Sequence, residues 1–273
     1  MTTTKNNLPV LPASPAARAA LTLVRTLESP AIANHSVRSY LFGMLLAEHR
    51  GVSDFDPALL FFACVLHDVG LTDLGNGSQR FEVDGADVAA DFLAEQGFSA
   101  VDRAVVWEAI ALHTSAGIAE RRGPVTDLTR RGVGLDFGRD AECVSDEQAA
   151  SIHAAYPRLS MEHALADMIV GQAQARPEKA PRYSIASELL RERTTIGTTL
   201  LEQGAALSRW GARSGSSTGD GCWDALGLVV GEQPAEDEET PVAPLPKGLP
   251  MINTLSLWVF SRCSSSPGAI RGG

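Results

Sequence analysis

Residues 61–74, FFACVLHDVGLTDL, decide how the rest of the chain is read. An almost unbroken apolar run ends there in the adjacent pair His67 and Asp68. Imidazole and carboxylate are costly to bury unless something satisfies them. Either the helix ends in water at that point or the pair binds a partner, and a metal ion suits both donors at once. Asp56 and Pro57 open the run with a capping residue followed by a proline in the first turn, so the stretch reads as a buried helix.

Outward from this helix the same signals recur. Ser14 and Pro15 open SPAARAALTLVRTLES in the same way. NHSVRSYLFGMLLAEHRG spaces Val37, Tyr40, Leu41, Met44 and Leu45 at helical intervals and stops at Gly51. FEVDGADVAADFLAEQG and SAVDRAVVWEAIALH continue the pattern, and Ser145 with Gln148 forms a capping box for SDEQAASIHAAY. SMEHALADMIVGQAQARP and YSIASELLRERTTIGTTLLEQGAALSRW, each read as one helical stretch, complete the set. No segment alternates with period two for long enough to be a strand, so the fold class is all-α. Residues 1–14 are expected to form a loose arm and 15–210 one helical domain. The tail, 211–273, holds 6 of the 15 prolines and 10 of the 25 glycines together with the acidic run EDEET. Such a composition buries too little apolar surface to offset its ordering entropy, so the tail is expected to be disordered and apart from the chemistry.

Charge and composition exclude several functions. The 273 residues carry a net charge of −10 and no Lys/Arg-rich block, which argues against binding nucleic acid through its phosphates. Four scattered cysteines with no C-x-x-C pair suit a reducing, cytoplasmic setting. No signal-peptide pattern opens the sequence, and no apolar run reaches the roughly 20 residues that span a bilayer. The expected partner is a small-molecule substrate, with self-association compatible.

Of the six histidines, three occupy comparable places. His35 lies at the start of a helical stretch, His67 and His113 at the ends of two others, and Asp136 stands between glycines and apolar residues in GVGLDFG. Taken singly, each is equally a satisfied polar residue at a helix end. Together, imidazoles and carboxylates from several helix ends can close around a divalent ion and leave positions for water. His49 suits a helix C-terminus, where a cation meets the dipole favourably. His153 and His163 read as structural or exposed, and Trp107 as core. The doublets Arg121-Arg122 and Arg130-Arg131 read as a solvated loop surface, or as a lid, flanking the approach to Asp136.

The ordered segments ANHSVRSYLFG, CVLHDVGLTD and GVGLDFG resemble the HD-domain metalloenzymes. RFEVDGADVAADFL and EAIALHTSAGIA are similar to their cyanamide hydratase-like branch, and the likeness runs from about residue 15 to about 205. The resemblance implies an HD-type helical bundle holding one divalent ion on His35, His67, Asp68 and Asp136. Zinc is the expected metal, Fe²⁺ and Mn²⁺ suiting the same donors. It also implies hydration of a small nitrile-type molecule, cyanamide to urea, by a metal-activated water. Many relatives with phosphate substrates carry a lysine where this chain has Leu71, and a second metal ordinarily draws on two histidines where only His113 stands here. Both departures favour a single metal and a weakly charged substrate. The competing reading is an HD phosphohydrolase acting on a nucleotide or other phosphomonoester, with Arg38 and Arg80 to meet the phosphate. A third is an idle domain that keeps a metal for stability. Around the metal, His113 and Glu82 are the candidate catalytic residues. His113 would shuttle protons or orient substrate, and Glu82 would support a ligand histidine from behind. Thr72 and Thr114 are expected to hydrogen-bond the substrate. Arg38, three residues after His35, either points into the pocket or pairs with a carboxylate.

Overall fold

The structure is a computed structural model, and it describes residues 8–211. The first three helices, α1 (Pro15–Leu27), α2 (Pro30–Arg50) and α3 (Pro57–Leu66), share one kind of start, a capping side chain followed by proline. Ser14 Oγ accepts the Ala17 N–H at 3.1 Å, and Asp56 Oδ1 accepts that of Ala58 at 2.7 Å. The pair Ser29-Pro30 repeats the signal, so α2 begins ahead of the expected Asn34 and His35 lies inside its second turn. After α3 come α4 (Phe81–Glu95), α5 (Ala100–Ala111), α6 (Pro124–Asp136), α7 (Asp146–Ala155) and α8 (Met161–Ala175). The last expected helix is two. Gly197, at φ 88°, ends α9 (Ile185–Ile196), and a capping box of Thr199 and Glu202 starts α10 (Leu200–Leu207). Among the described residues there is no strand, and the all-α expectation holds.

Leu59 to Leu66 of α3 are all buried, because α1, α2, α5 and α6 surround it. A helix apolar on every side is stable only when enclosed in this way. Two features then carry α3's last residues to a fixed place. Glycines on α2 and α6 let those helices touch: a Cβ on Gly132 would lie 2.3 Å from the Ser39 carbonyl oxygen, and one on Gly43 would lie 3.2 Å from that of Leu128. The short turn after the His-Asp pair, Val69–Leu71, presses backbone to backbone on α4, where a Cβ on Gly70 would be 1.9 Å from the Phe81 carbonyl oxygen. The loop that follows is held by a buried ion pair between Lys179 and Asp84 and by Arg176, which donates to the Asn76 and Gly77 carbonyls.

A second apolar cluster, with Phe81, Phe137, Leu165, Ile169 and Leu189 among its members, brings α8 and α9 to the side of the molecule where α3 ends. Leu8 and Leu11 pack against the main core. Residues 1–7 of the expected arm and all but the first residue of the expected tail lie outside the described residues. No helix among the described residues is long and apolar enough to cross a membrane.

Gly70 gives a direct test of this packing. Gly70→Ala is expected to lower the unfolding free energy by about 3 kcal/mol or more, because the methyl meets backbone that cannot swing aside. Gly97→Ala, at φ 82° in open space, should cost only about 1 kcal/mol. Chemical denaturation of both variants compares them, and equal midpoints would contradict the assigned packing.

Candidate metal centre

The end of α3 delivers His67 and Asp68, and α2 delivers His35 from across the core. One donor atom of each lies within 4.8 Å of the others, and all three residues are buried. The His35 and His67 rings meet edge to face at 5.1 Å, and the His113 ring stands against His67 at 4.9 Å.

Hydrogen bonds at the back of each ring fix which nitrogen faces inward. His35 Nδ1 donates to Asp136 Oδ2 at 2.7 Å, His67 Nδ1 to the Cys64 carbonyl at 2.7 Å and His113 Nδ1 to the Ile110 carbonyl at 2.6 Å. Each ring therefore turns Nε2 the other way. His35 Nε2, His67 Nε2 and Asp68 Oδ2 are all buried with no hydrogen-bond partner. His67 Nε2 comes within 3.1 Å of Asp68 Oδ2 and His35 Nε2 within 3.9 Å, close enough for attraction but not aligned to bond. Orphaned buried donors and acceptors are rare in folded proteins and call for an unseen partner. Two imidazole nitrogens and one carboxylate oxygen converging on one point fit a divalent metal ion with further positions open to solvent or substrate.

Asp136 stands one step behind. Arg38 grips it with Nε to Oδ1 at 2.8 Å and Nη2 to Oδ2 at 2.7 Å, and Arg158 Nη1 reaches Oδ1 at 3.1 Å. With His35 these make four donors on two oxygens, which is about what a carboxylate can accept. As folded, Asp136 accepts from the His35 ring and is not among the residues whose donor atoms cluster within 4.8 Å. Arg38 correspondingly does not point into the pocket. It is buried, and its remaining Nη1 donates to the Tyr156 and Pro157 carbonyls, so of the two expected placements the carboxylate pair is the one seen.

Electrostatics follow from these contacts. Burial lowers the pKa of His35 and pushes that of His113 down to about 4, so both rings are neutral. Burial also acts to lower His67, but the charge of the adjacent Asp68 outweighs it and raises the pKa above its ordinary value. Burial would raise Asp68, yet His67 holds it down at about 2. Arg38 keeps Asp136 far below the usual carboxylate range in spite of its burial.

The remaining candidates divide. His113 and Thr114 line the cavity beside the centre. Glu82 lies behind them, accepting from Thr114 Oγ1 at 2.6 Å and from Arg80, and it makes no hydrogen bond to a histidine. Thr72 does not reach the cavity, because its hydroxyl donates to the Val69 carbonyl at 2.7 Å and closes the turn. Arg130, expected on a solvated loop, is a buried residue of α6 and lines the cavity. The outer wall comes from Leu165, Ile169, Ile185 and Leu189 on α8 and α9, beyond the last motif. Arg158, which fixes Asp136, sits in the equally unremarked turn before α8, next to Leu159 and Ser160 at φ 54° and 55°. Nothing local marks these residues, since their partners lie on other helices.

Two outcomes test this arrangement. Asp68→Ala should leave the purified protein without bound metal, whereas Asp136→Asn should keep it with affinity lowered about 10- to 100-fold, and complete loss in Asp136→Asn would make Asp136 a ligand. A metal must also displace the proton that His67 holds. Its apparent affinity should therefore fall as pH drops below the raised His67 pKa and level off above it. Calorimetry at pH 6 in buffers of different ionisation enthalpy should show about one proton released per metal, and no release would contradict this.

No curated protein matches the sequence. Residues 32–151 match the family model described as HD domain. That span begins in α2 just before His35, ends in α7 and contains His35, His67, Asp68, His113 and Asp136. Over this span the chain is similar to the HD domain, whose members are typically metal-dependent hydrolases.

Proposed function

We propose that the protein is a metal-dependent hydratase that adds water across the carbon–nitrogen triple bond of a nitrile-type molecule, with cyanamide the simplest substrate and urea its product. The observation that carries this reading is that the arginines hydrogen-bonded next to the His35–His67–Asp68 cluster already serve carboxylates of the protein. Arg38 and Arg158 are spent on Asp136, Arg80 is held by Glu82, and Leu71 is buried and neutral. Phosphoryl transfer needs such donors to stabilise charge on the equatorial oxygens, whereas adding water to a nitrile expels no anionic group.

When bound, a divalent ion supplies Lewis acidity and an activated water at neutral pH. The protein's own groups do the rest. His113, neutral and with Nδ1 tied to the Ile110 carbonyl, offers the lone pair of Nε2 as an acceptor beside the centre. With its pKa near 4 it orients water or a substrate N–H rather than titrating near neutrality. Thr114 gives its proton to Glu82 and accepts from Arg80 Nη2 at 3.3 Å, which leaves its oxygen one lone pair for a substrate amino group. Glu82 is kept ionised against its burial by Arg80, His113 and Thr114, and so holds Thr114 in that sense. Water's oxygen goes to the nitrile carbon and both its protons end on the nitrogen, so the balance needs no other reactant.

Metal-loaded protein incubated with cyanamide should release urea. His113→Ala should retain its metal and lower kcat by about 10²-fold or more. Release of phosphate from nucleoside monophosphates without any urea would overturn the proposal in favour of a phosphohydrolase.

A further inference from the structure

The cavity that opens from the centre is much larger than cyanamide requires. It measures about 520 Å³, a size that suits a drug-sized ligand, while cyanamide takes up no more than a few waters of about 30 Å³ each. Three helices contribute to its wall in the same way. Val133 and Phe137 at the end of α6, Leu165 and Ile169 on α8, and Ile185 and Leu189 on α9 are pairs four residues apart. At that spacing each helix turns one apolar strip towards the same space.

The apolar wall starts at the metal centre itself. The Phe137 ring meets His35 edge to face at 5.5 Å, and the Phe81 ring meets His113 in the same way at 5.7 Å. Phe137, Leu165, Ile169 and Leu189 are buried from bulk solvent and still face the cavity. Interiors normally close such faces on one another at the density of an organic crystal. Here they stand apart, and an apolar lining of this extent gains nothing from a molecule as small and polar as cyanamide.

The charged side chains of the wall have partners within the protein. Arg130 pairs with Glu120, Glu188 pairs with Arg191, Glu192 accepts the Leu200 N–H at 2.8 Å, and Arg139 is likewise engaged. A neutral guest leaves these contacts intact, whereas a charged one would have to break them or be buried unpaired. We infer that the substrate is a neutral molecule whose reacting group lies at the His35–His67–Asp68 centre and whose apolar body, an alkyl chain or a ring, fills the space between α6, α8 and α9. The inference rests on the hydratase reading only for the identity of the reacting group, a nitrile.

Straight-chain nitriles from butyronitrile to octanenitrile lengthen the body and keep the reacting group. Titrated calorimetrically into metal-loaded, full-length protein, they should bind about fourfold more tightly per added methylene, so that octanenitrile exceeds butyronitrile by about 10²-fold. 7-Cyanoheptanoate, a body of similar length ending in a carboxylate, should bind at least about tenfold more weakly than octanenitrile. Ile185→Asp puts a charge into the wall at the first residue of α9, where a carboxylate suits the helix N-terminus. Val133→Trp, at a half-buried position, takes up part of the volume instead. Both variants should retain their metal, weaken octanenitrile at least about tenfold and affect butyronitrile much less. For a variant that loses its metal, the wild-type series remains decisive. The inference is overturned if affinity does not rise along the series, if 7-cyanoheptanoate binds as tightly as octanenitrile, or if neither metal-retaining variant weakens octanenitrile. Turnover is scored separately. Affinity that rises with length while neither octanamide nor urea forms supports the apolar cavity and sinks the hydratase reading; urea from cyanamide with a flat series does the reverse.

Discussion

The buried meeting of His35 Nε2, His67 Nε2 and Asp68 Oδ2 is the constraint around which the other features arrange themselves. An unsatisfied buried polar atom costs about 1–3 kcal/mol, and these three are gathered at one point. The two imidazoles are aimed from behind: a carbonyl behind His67 and a carboxylate behind His35 leave only Nε2 to face inward. The protein therefore spends stability to keep these three polar atoms convergent. A divalent ion would reverse that cost by taking the same atoms as its ligands.

Seen from this centre, the architecture has a physical rationale. The α2–α6 crossing has to be close, because His35 and Asp136 must touch, and Gly43 and Gly132 permit it. Arg38 and Arg158 then neutralise Asp136 and lock α2, the end of α6 and the turn before α8 into one unit. Gly70 seats the turn after Asp68 on α4, while Lys179 and Arg176 tie the following loop to the segment after α8. The candidate metal centre thus sits on rigid elements, and the apolar cavity in front of it is walled by α8 and α9.

Much of this was legible before any coordinates. Ser-Pro and Asp-Pro pairs marked helix starts, and the apolar run 57–66 announced a helix enclosed on all sides. The grouping of His67 and Asp68 with His35 is what the resemblance of the ordered motifs to the HD-domain metalloenzymes implies. Other features depend on contacts between residues about a hundred positions apart, which no local pattern carries. That Arg38 serves Asp136 rather than substrate, and that Asp136 stands behind His35, are of this kind. Thr72 resembled a substrate ligand because a hydroxyl near the His-Asp pair is ambiguous until its turn is seen to consume it. The doublet Arg130-Arg131 looked like solvated surface because charge usually is. On α6 the two neighbours face opposite ways: Arg130 enters the cavity, and Arg131 pairs with Asp127 and Asp140. The break at Gly197 carries no clear local signal, because a single glycine in a helical pattern is often tolerated.

The central claim is a centre built from two imidazoles and one carboxylate. X-ray absorption at the metal edge of zinc-loaded protein reads that donor set without reference to activity. The account predicts a first shell of nitrogen and oxygen at about 2.0–2.1 Å, with outer-shell scattering from two imidazole rings. A shell containing sulfur at about 2.3 Å, or one with no imidazole scattering, would contradict it.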